Sequence, residues 1–261
     1  MAVYRNIVIT GASRGIGRAL AIRFARPEAR LCLIARKGPD LAETERACRA
    51  AGAHVETRMI DVTDRETLET AIVAFDAKWP VDLVIANAGI SAGRAPGQMR
   101  EADGTAERLN AVNFLGVVNT VEPLLGPMTS RARGQIAIVS SLAALLPQPD
   151  LPSYSATKAG VRAYGIALRG MLRAEGVGVS VICPGFVTSE MSARHKGFKP
   201  FEMDAARAAA IIQRGLERQR PLITFPWQLA ALIWAANRMP SALSDWFVQG
   251  FRSEIDPEDP A

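Results

Sequence analysis

Tyr154 and Lys158 stand four residues apart at the head of an apolar run, Ala159 to Leu172, that reads as a long helix. On a helix, residues i and i+4 share one face. The phenol and the ammonium therefore point into the same space. A phenol with an ordinary pKa near ~10 neither gives nor takes a proton readily at neutral pH. A cation a few ångströms away favours the phenolate and lowers that pKa. Such a pair can act as a general acid/base. The alternative is an exposed helical turn without a role, because YxxxK arises often by chance. Lysine is scarce here, with five among 31 basic residues: Lys37, Lys78, Lys158, Lys196 and Lys199. A lysine where arginine is the habit supplies a compact charge that can be tuned.

A second group of residues could hold phosphates. Val3 to Thr10 is a β-rich run that ends in Gly11-Ala12-Ser13-Arg14-Gly15-Ile16-Gly17, and an amphipathic helix, Arg18 to Arg26, follows. Strand, glycine turn and helix is the setting in which such glycines mean phosphate binding. Gly11 permits a tight turn, Gly15 lets the backbone approach a pyrophosphate, and Gly17 lets helix and strand pack closely. The helix N-terminus adds free N–H groups. The spacing is GxxxGxG rather than GxGxxG, and a purely structural turn is the competing reading. Arg30 to Ala35 is the next strand, with Arg36 and Lys37 at its end. An acid there would bind a ribose 2′-hydroxyl. Cations stand there instead, and Arg14 with Arg36 could clamp a 2′-phosphate. A solvated basic turn is the alternative.

The elements that must position these groups alternate along the chain. Asp40 to Ala51 reads as a helix stopped by Gly52, and His54 to Ile60 as a strand followed by Asp61 and Val62. Asp61 could accept from an adenine amino group or cap the helix over Asp64 to Lys78. Val81 to Ala86 is a strand with Asn87-Ala88-Gly89 at its end, where open α/β sheets bind ligands. Asp103 to Leu125 is a long helix with Asn113 inside an apolar stretch. A buried asparagine there needs partners, and bridging helix to strand would suffice. Gln135 to Ser140 and Val177 to Cys183 are two further strands. They end in Ser140-Ser141 and in Pro184-Gly185, with Thr188 just beyond. Arg194 to Pro200 reads as a mobile basic loop, Met203 to Gln219 as a helix, Leu222 to Phe225 as a short strand, and Gln228 to Asn237 as an apolar helix. This alternation predicts a doubly wound parallel sheet in one α/β domain over residues 1–261. Its core would cover about 3–225, with an apolar helical C-terminal extension over about 226–255.

Composition bounds the function. Hydrophobic residues make up 49% of 261 residues, enough for one large core. The net charge of +5 is scattered, which argues against a nucleic-acid face. Cys32, Cys48 and Cys183 are widely spaced, and two of them lie in apolar strands, as expected of buried thiols in a reducing, cytoplasmic setting. Two histidines without ligand spacing give no metal site. A strand almost at the first residue leaves no room for a signal peptide. No apolar run is long enough for a confident membrane span.

The ordered set Thr10-Gly11-Ala12-Ser13-Arg14-Gly15-Ile16-Gly17, Asn87-Ala88-Gly89, Ser141, Tyr154-x-x-x-Lys158 and Pro184-Gly185 resembles the short-chain dehydrogenase/reductase family from about Val3 to Thr188. Ser141 lies thirteen residues before Tyr154, the family's usual interval. The resemblance implies a Rossmann fold and an NADP(H)-dependent oxidoreductase that interconverts a carbonyl and a secondary alcohol. It implies that Tyr154 exchanges the proton with the substrate oxygen and Ser141 holds that oxygen. Lys158 would tune Tyr154 and bind the nicotinamide ribose, and Asn113 would hold a water in a relay to Lys158. Gly11, Ser13, Arg14, Gly15, Ile16, Gly17, Arg36, Asp61, Val62, Asn87, Ala88, Gly89, Tyr154, Lys158, Pro184, Gly185 and Thr188 would line the cofactor. A catalytically silent NADP-binding sensor of the same fold is the alternative. Such relatives typically lose the tyrosine or lysine, and both stand here.

Two features depart from the pattern. Ala86 replaces the asparagine that often precedes Asn-Ala-Gly. The C-terminal third lacks the glycine-rich, Asp-containing final strand of many tetrameric members, so a homodimer built on the helices of Asn113 and Tyr154 is expected. Ala92 to Gly97, Leu142 to Leu151 and Phe186 to Phe201 should line a pocket for a small apolar substrate. Leu229, Leu232, Ile233 and Ala236 recur at helical spacing beside Trp227 and Trp234, and Leu243, Trp246, Phe247 and Phe251 follow. This segment either packs on its own domain or a dimer mate, or makes a peripheral membrane contact with Arg218, Arg220 and Arg238 near headgroups.

Overall fold

The computed structural model describes residues 4–95, 97–240 and the backbone of 253–255. Seven parallel strands form the centre: β1 (Asn6–Thr10), β2 (Arg30–Ala35), β3 (His54–Met59), β4 (Leu83–Ala86), β5 (Gly134–Val139), β6 (Val177–Pro184) and, numbered eighth along the chain, β8 (Leu222–Phe225). Their spatial order is β3-β2-β1-β4-β5-β6-β8. The central strands are apolar on both faces because helices cover both, which is why they read as continuous hydrophobic runs. On one face α1 (Gly15–Phe24), α2 (Gly38–Ala50) and α8 (Ala205–Glu217) bury Leu20, Phe24 and Ile212 against Ile7, Ile9 and Leu31. On the other, α3 (Arg65–Lys78), α5 (Gly116–Ser130) and α6 (Pro152–Leu172) bury Phe75, Val121 and Val161 against Val8, Val84 and Ile138. The winding reverses between β1 and β4. The strand ends there splay apart and leave a crevice at the carboxyl edge of the sheet.

Three expectations need correction. The helix expected over Asp103 to Leu125 is three segments: α4 (Thr105–Leu109), a π-helical stretch over Asn110–Leu115, and α5, which runs on to Ser130 through Pro123 and Pro127. The Gly116 amide reaches back five residues to the Ala111 carbonyl. One extra residue is thereby accommodated around Asn113, a device found mostly at functional sites. The stretch expected as a mobile loop, Arg194 to Pro200, follows α7 (Glu190–Ala193) and holds a short strand, β7 (His195–Gly197). It pairs antiparallel with β9 (Ser253–Ile255), bringing distant chain back to this loop. The first strand begins at Asn6 rather than Val3. The last described helix, α9 (Trp227–Ala236), follows β8 as expected. The expectations for Leu243, Trp246, Phe247 and Phe251 lie outside the described residues.

The helix that carries Tyr154 and Lys158 is held close to the sheet by one missing side chain. A Cβ on Gly165 would stand 2.6 Å from Val181 Cγ2 and 3.2 Å from Ile138 Cδ1. Gly165→Val must push α6 off β5 and β6. We expect a loss of about 1–3 kcal/mol in urea unfolding, the usual cost of overpacking, with turnover falling further than cofactor affinity. Unchanged stability would show that α6 has slack the packing does not suggest.

Candidate active site

The crevice opens into a cavity of about 1100 Å³ that runs from the glycine turn to an apolar end under α9. At the glycine end, Gly11 (φ +67°) and Gly15 (φ +53°) adopt left-handed backbone that L side chains rarely take. A Cβ on Gly17 would lie 2.2 Å from the Gly11 carbonyl oxygen, so α1 can pack on the turn only with glycine there. Asn87 locks the turn from β4. Its Nδ2 donates to the carbonyls of Thr10 (3.0 Å) and Gly11 (3.2 Å), while the Thr10 Oγ1 accepts from the Asn87 amide (3.2 Å). The first turn of α1 has neither a side-chain cap nor an acid. Its free N–H groups face the cavity, a ready seat for a phosphate.

At the centre stand Ser141, Tyr154 and Lys158, all on the cavity wall. Ser141 ends β5, and its Oγ accepts from the Ala143 amide (3.1 Å), which leaves its own proton free to donate. The Ser141 hydroxyl lies near enough to the Tyr154 phenol to favour its ionised form. Lys158 Nζ lies 5.8 Å from the centre of the Tyr154 ring and donates to the Val139 carbonyl (3.2 Å). The lysine is 4% exposed. Space for it exists because its neighbour is a glycine: a Cβ on Gly89 would sit 3.3 Å from Nζ and 3.1 Å from Asn113 Oδ1. Ser140, also buried, donates to the Lys158 carbonyl (2.7 Å) and fixes that turn of α6.

The electrostatics run against the simplest expectation. Burial pushes the Tyr154 phenol above its ordinary pKa, and the Ser141 hydroxyl opposes that only in part. The phenol is half-buried where it borders the cavity. Burial also drives Lys158 down to about 8, although nearby Cys183 works the other way. The same burial lifts the Cys183 thiol to about 11, so it is no reactive thiolate. In the free protein both partners are pulled toward their neutral forms. The spacing puts acid and cation together, but desolvation outweighs their attraction.

Asn113 is fully buried and takes no part in the cavity wall. Its Oδ1 accepts from the Ile90 amide (2.8 Å), and its Nδ2 donates to the Ile90 carbonyl (3.0 Å) and to Thr157 Oγ1 (3.2 Å). Three of the four hydrogen-bonding positions of the side chain are used, and one lone pair of Oδ1 remains. It ties the π-helical stretch to the loop after β4 and to α6.

The cations expected to face a 2′-phosphate are at the glycine end, and each already has an acid. Arg14 pairs with Asp40 and Glu190, and Arg36 lies 3.6 Å from Asp61. Asp61 accepts from the Thr63 amide and hydroxyl, whereas Asp64 caps α3 through the Thr67 amide. The choice left open for Asp61 is therefore settled against the cap. The wall also includes Gly11, Ser13, Gly15, Ile16, Val62, Ala88, Gly89, Pro184 and Gly185. Thr188 is exposed and lies on a separate shallow depression beside Arg14 and Gly15, with its hydroxyl on the Met203 carbonyl. Gly17 serves packing alone.

The far end is apolar: Leu142, Leu146, Leu151, Phe186, Leu229 and Ile233 line it. Of Ala92 to Gly97, expected in this wall, the described residues stay out of it, and Pro96 lies outside the described residues. Arg94 is instead held by Asp150 (2.6 Å). Sequence reasoning missed Arg108, Val112 and Ser140. Helical periodicity from Tyr154 could not have found them, because they come from other elements.

The comparisons with known proteins agree with this geometry. A family model described as short chain dehydrogenase matches residues 5–198. An uncharacterized oxidoreductase of Myxococcus xanthus is 36% identical over 250 residues, spanning 93% of this chain and 95% of that one. A hydroxysteroid 11-beta-dehydrogenase 1-like protein of Xenopus tropicalis is 30% identical over 252 residues, spanning 94% and 86%. A short-chain dehydrogenase of Sphingobium yanoikuyae, solved in complex with NADPH, superposes with a TM-score of 0.78 at 25% identity, over 95% and 96% of the two chains. One from Burkholderia phymatum, in complex with NAD, superposes at 0.82 over 100% and 99%. At 24% identity it speaks to the fold.

The buried lysine makes a signed prediction. Its folded pKa of about 8 lies below the ordinary 10.5. Between those values the unfolded chain holds a proton that the folded chain has lost, so unfolding free energy rises with pH. The lysine therefore costs stability below pH 8, and the cost fades toward pH 10.5. Lys158→Met should be more stable than the parent at pH 7, on the order of 1–3 kcal/mol. The gap should close by about pH 10. A gap independent of pH in paired urea titrations would contradict the burial of a charge here.

Proposed function

The chain belongs to the short-chain dehydrogenase family, and from that premise we propose that it is an NADP(H)-dependent oxidoreductase interconverting a carbonyl and a secondary alcohol on an apolar substrate. One observation carries the reading. Ser141, Tyr154 and Lys158 sit where the phosphate-binding half of a single cavity meets its apolar half. A substrate in the apolar end must present its polar atom to these hydroxyls.

The residues present fit a dinucleotide. Glycine backbone at positive φ leaves room against the turn, α1 offers unsatisfied amides, and Asn87 fixes both. Arg14 and Arg36 would hold a 2′-phosphate, and Lys158 has N–H groups beyond the one on Val139 for ribose hydroxyls. The nicotinamide, when bound, supplies or takes up the hydride at the substrate carbon. The protein's own part concerns the oxygen. Tyr154 Oη gives its proton to the oxygen in reduction and recovers it in oxidation, and the Ser141 hydroxyl donates to the same atom as charge develops. The raised pKa of the phenol keeps that proton in place at neutral pH, which suits the reductive direction. The ion pairs Arg14–Glu190 and Arg36–Asp61 are partly exposed and hence weak, so a phosphate can exchange with these acids at modest cost, while Arg14–Asp40 is the more buried pair. Exposed Leu115, Ile166 and Met171, on the π-helical stretch and α6, support a homodimer through this face.

Tyr154→Phe keeps the ring and removes the proton. Turnover of NADPH with ketones should fall by roughly 10³-fold or more, the scale for an acid acting on the reacting oxygen. NADPH affinity should be nearly unchanged by fluorescence titration. Near-normal turnover would remove Tyr154 from the role.

Cofactor choice tests the cation pair separately. The parent protein should bind NADPH roughly tenfold or more tightly than NADH, since a charge-assisted phosphate contact contributes about 1.5–3 kcal/mol before solvent screening. Arg36→Asp should erase or reverse that ratio. Equal parental affinities in calorimetry would count against Arg14 and Arg36 as a phosphate clamp.

A further inference from the structure

The apolar end of the cavity is rimmed by two segments far apart in sequence, and both carry exposed aromatic side chains. α9 gives Leu229 and Ile233 to the wall, and the stretch after α7 gives His195. On α9 the residues split into two stripes. Leu229, Ile233 and Ala236 are buried, while Trp227, Ala231 and Trp234 face solvent, with Arg238 continuing that stripe. Trp227 is 73% exposed and Trp234 61%. Across the rim, Phe198 is 69% exposed, and Lys196 and Lys199 flank it in sequence. A surface helix normally turns charged or polar residues outward. α9 has no charged residue and turns its largest aromatics out instead.

Charge selects the partner. The stripe carries no acid and one cation, Arg238; Arg218 and Arg220 precede β8 at the opposite, amino edge of the sheet. The Arg238 guanidinium stacks 3.5 Å over the Trp234 ring. Near the loop, Glu202 accepts from Ser192, and Asp204 caps α8. Amphipathic aromatics beside cations suit the boundary between acyl chains and anionic headgroups. A second copy fits less well. An isologous contact would set Arg238 against its own copy with no acid on the stripe to pair it. No helix among the described residues is long and apolar enough to cross a membrane, so the contact would be peripheral.

We propose that the outer stripe of α9 and the loop around Phe198 dock on an anionic lipid bilayer, with the apolar end of the cavity beside the contact. That this end admits a lipophilic substrate rests on the oxidoreductase reading above; the docking does not, and vesicle binding needs no turnover, so the two fail separately.

The test is co-sedimentation of the full chain with vesicles of phosphatidylcholine alone and of equimolar phosphatidylcholine and phosphatidylglycerol at low salt. The parent protein should bind the anionic vesicles and be released by high salt. Trp227→Ser/Trp234→Ser should bind about tenfold or more weakly, while retaining parental circular dichroism and NADPH affinity. Failure of the parent protein to bind anionic vesicles would overturn the proposal. So would a double variant that binds them as the parent does. A parent dimer that the same double variant converts to monomer, with no vesicle binding by either, would assign the stripe to a subunit interface instead.

Discussion

Everything at the centre of this protein depends on keeping one ammonium group inside the wall of a cavity. Lys158 is almost without exposure, and it has a single backbone carbonyl, that of Val139, as a recorded hydrogen-bond partner. A buried charge with so little compensation is costly, which is why the lysine is pulled toward neutrality. The surroundings are shaped to tolerate it. Gly89 has no side chain because Nζ and Asn113 occupy the space, and Ser140 anchors the helix turn that carries the lysine. Burial pushes Tyr154 the opposite way, toward keeping its proton. A cavity whose lysine titrates at about 8 and whose phenol holds its proton is poised to respond when charge enters it.

The sheet supplies the place. Because the strand order reverses between β1 and β4, the ends of those strands diverge, and the loops after β1, β4, β5 and β6 converge on one crevice. The glycine turn, Asn87, Ser141 and Gly185 all come from those four loops. The packing then fixes the remaining side chains. Gly165 lets α6 lie against β5 and β6, and Asn113 ties three segments together at the level of Lys158. The substrate end is built differently. It is formed by later elements, α7, the β7 loop and α9.

Much of this was legible in the sequence, for a physical reason. Strands covered on both faces must be apolar throughout, so the runs around Val8, Leu33, Val84, Ile138 and Val181 stood out. A helical i, i+4 spacing guarantees proximity, so Tyr154 and Lys158 announced each other. What stayed hidden depends on tertiary context. The π-helical stretch over Asn110–Leu115 has ordinary helix formers, and one shifted hydrogen bond leaves no compositional trace. β7 reads His-Lys-Gly and exists because a distant segment pairs with it. The direction of the Tyr154 shift was also out of reach, because spacing reports distance and says nothing of burial. The acids that engage Arg14 come from α2 and α7, far from it in sequence.

The central claim is that burial, and not the neighbouring lysine, governs the Tyr154 phenol in the free protein. Ultraviolet difference titration of the parent against Tyr154→Phe reads that one phenol directly. The account predicts ionisation above the ordinary tyrosine range near ~10 without cofactor, and a downward move when NADP⁺ brings positive charge into the cavity. A phenol that already ionises near neutrality in the free protein would contradict it.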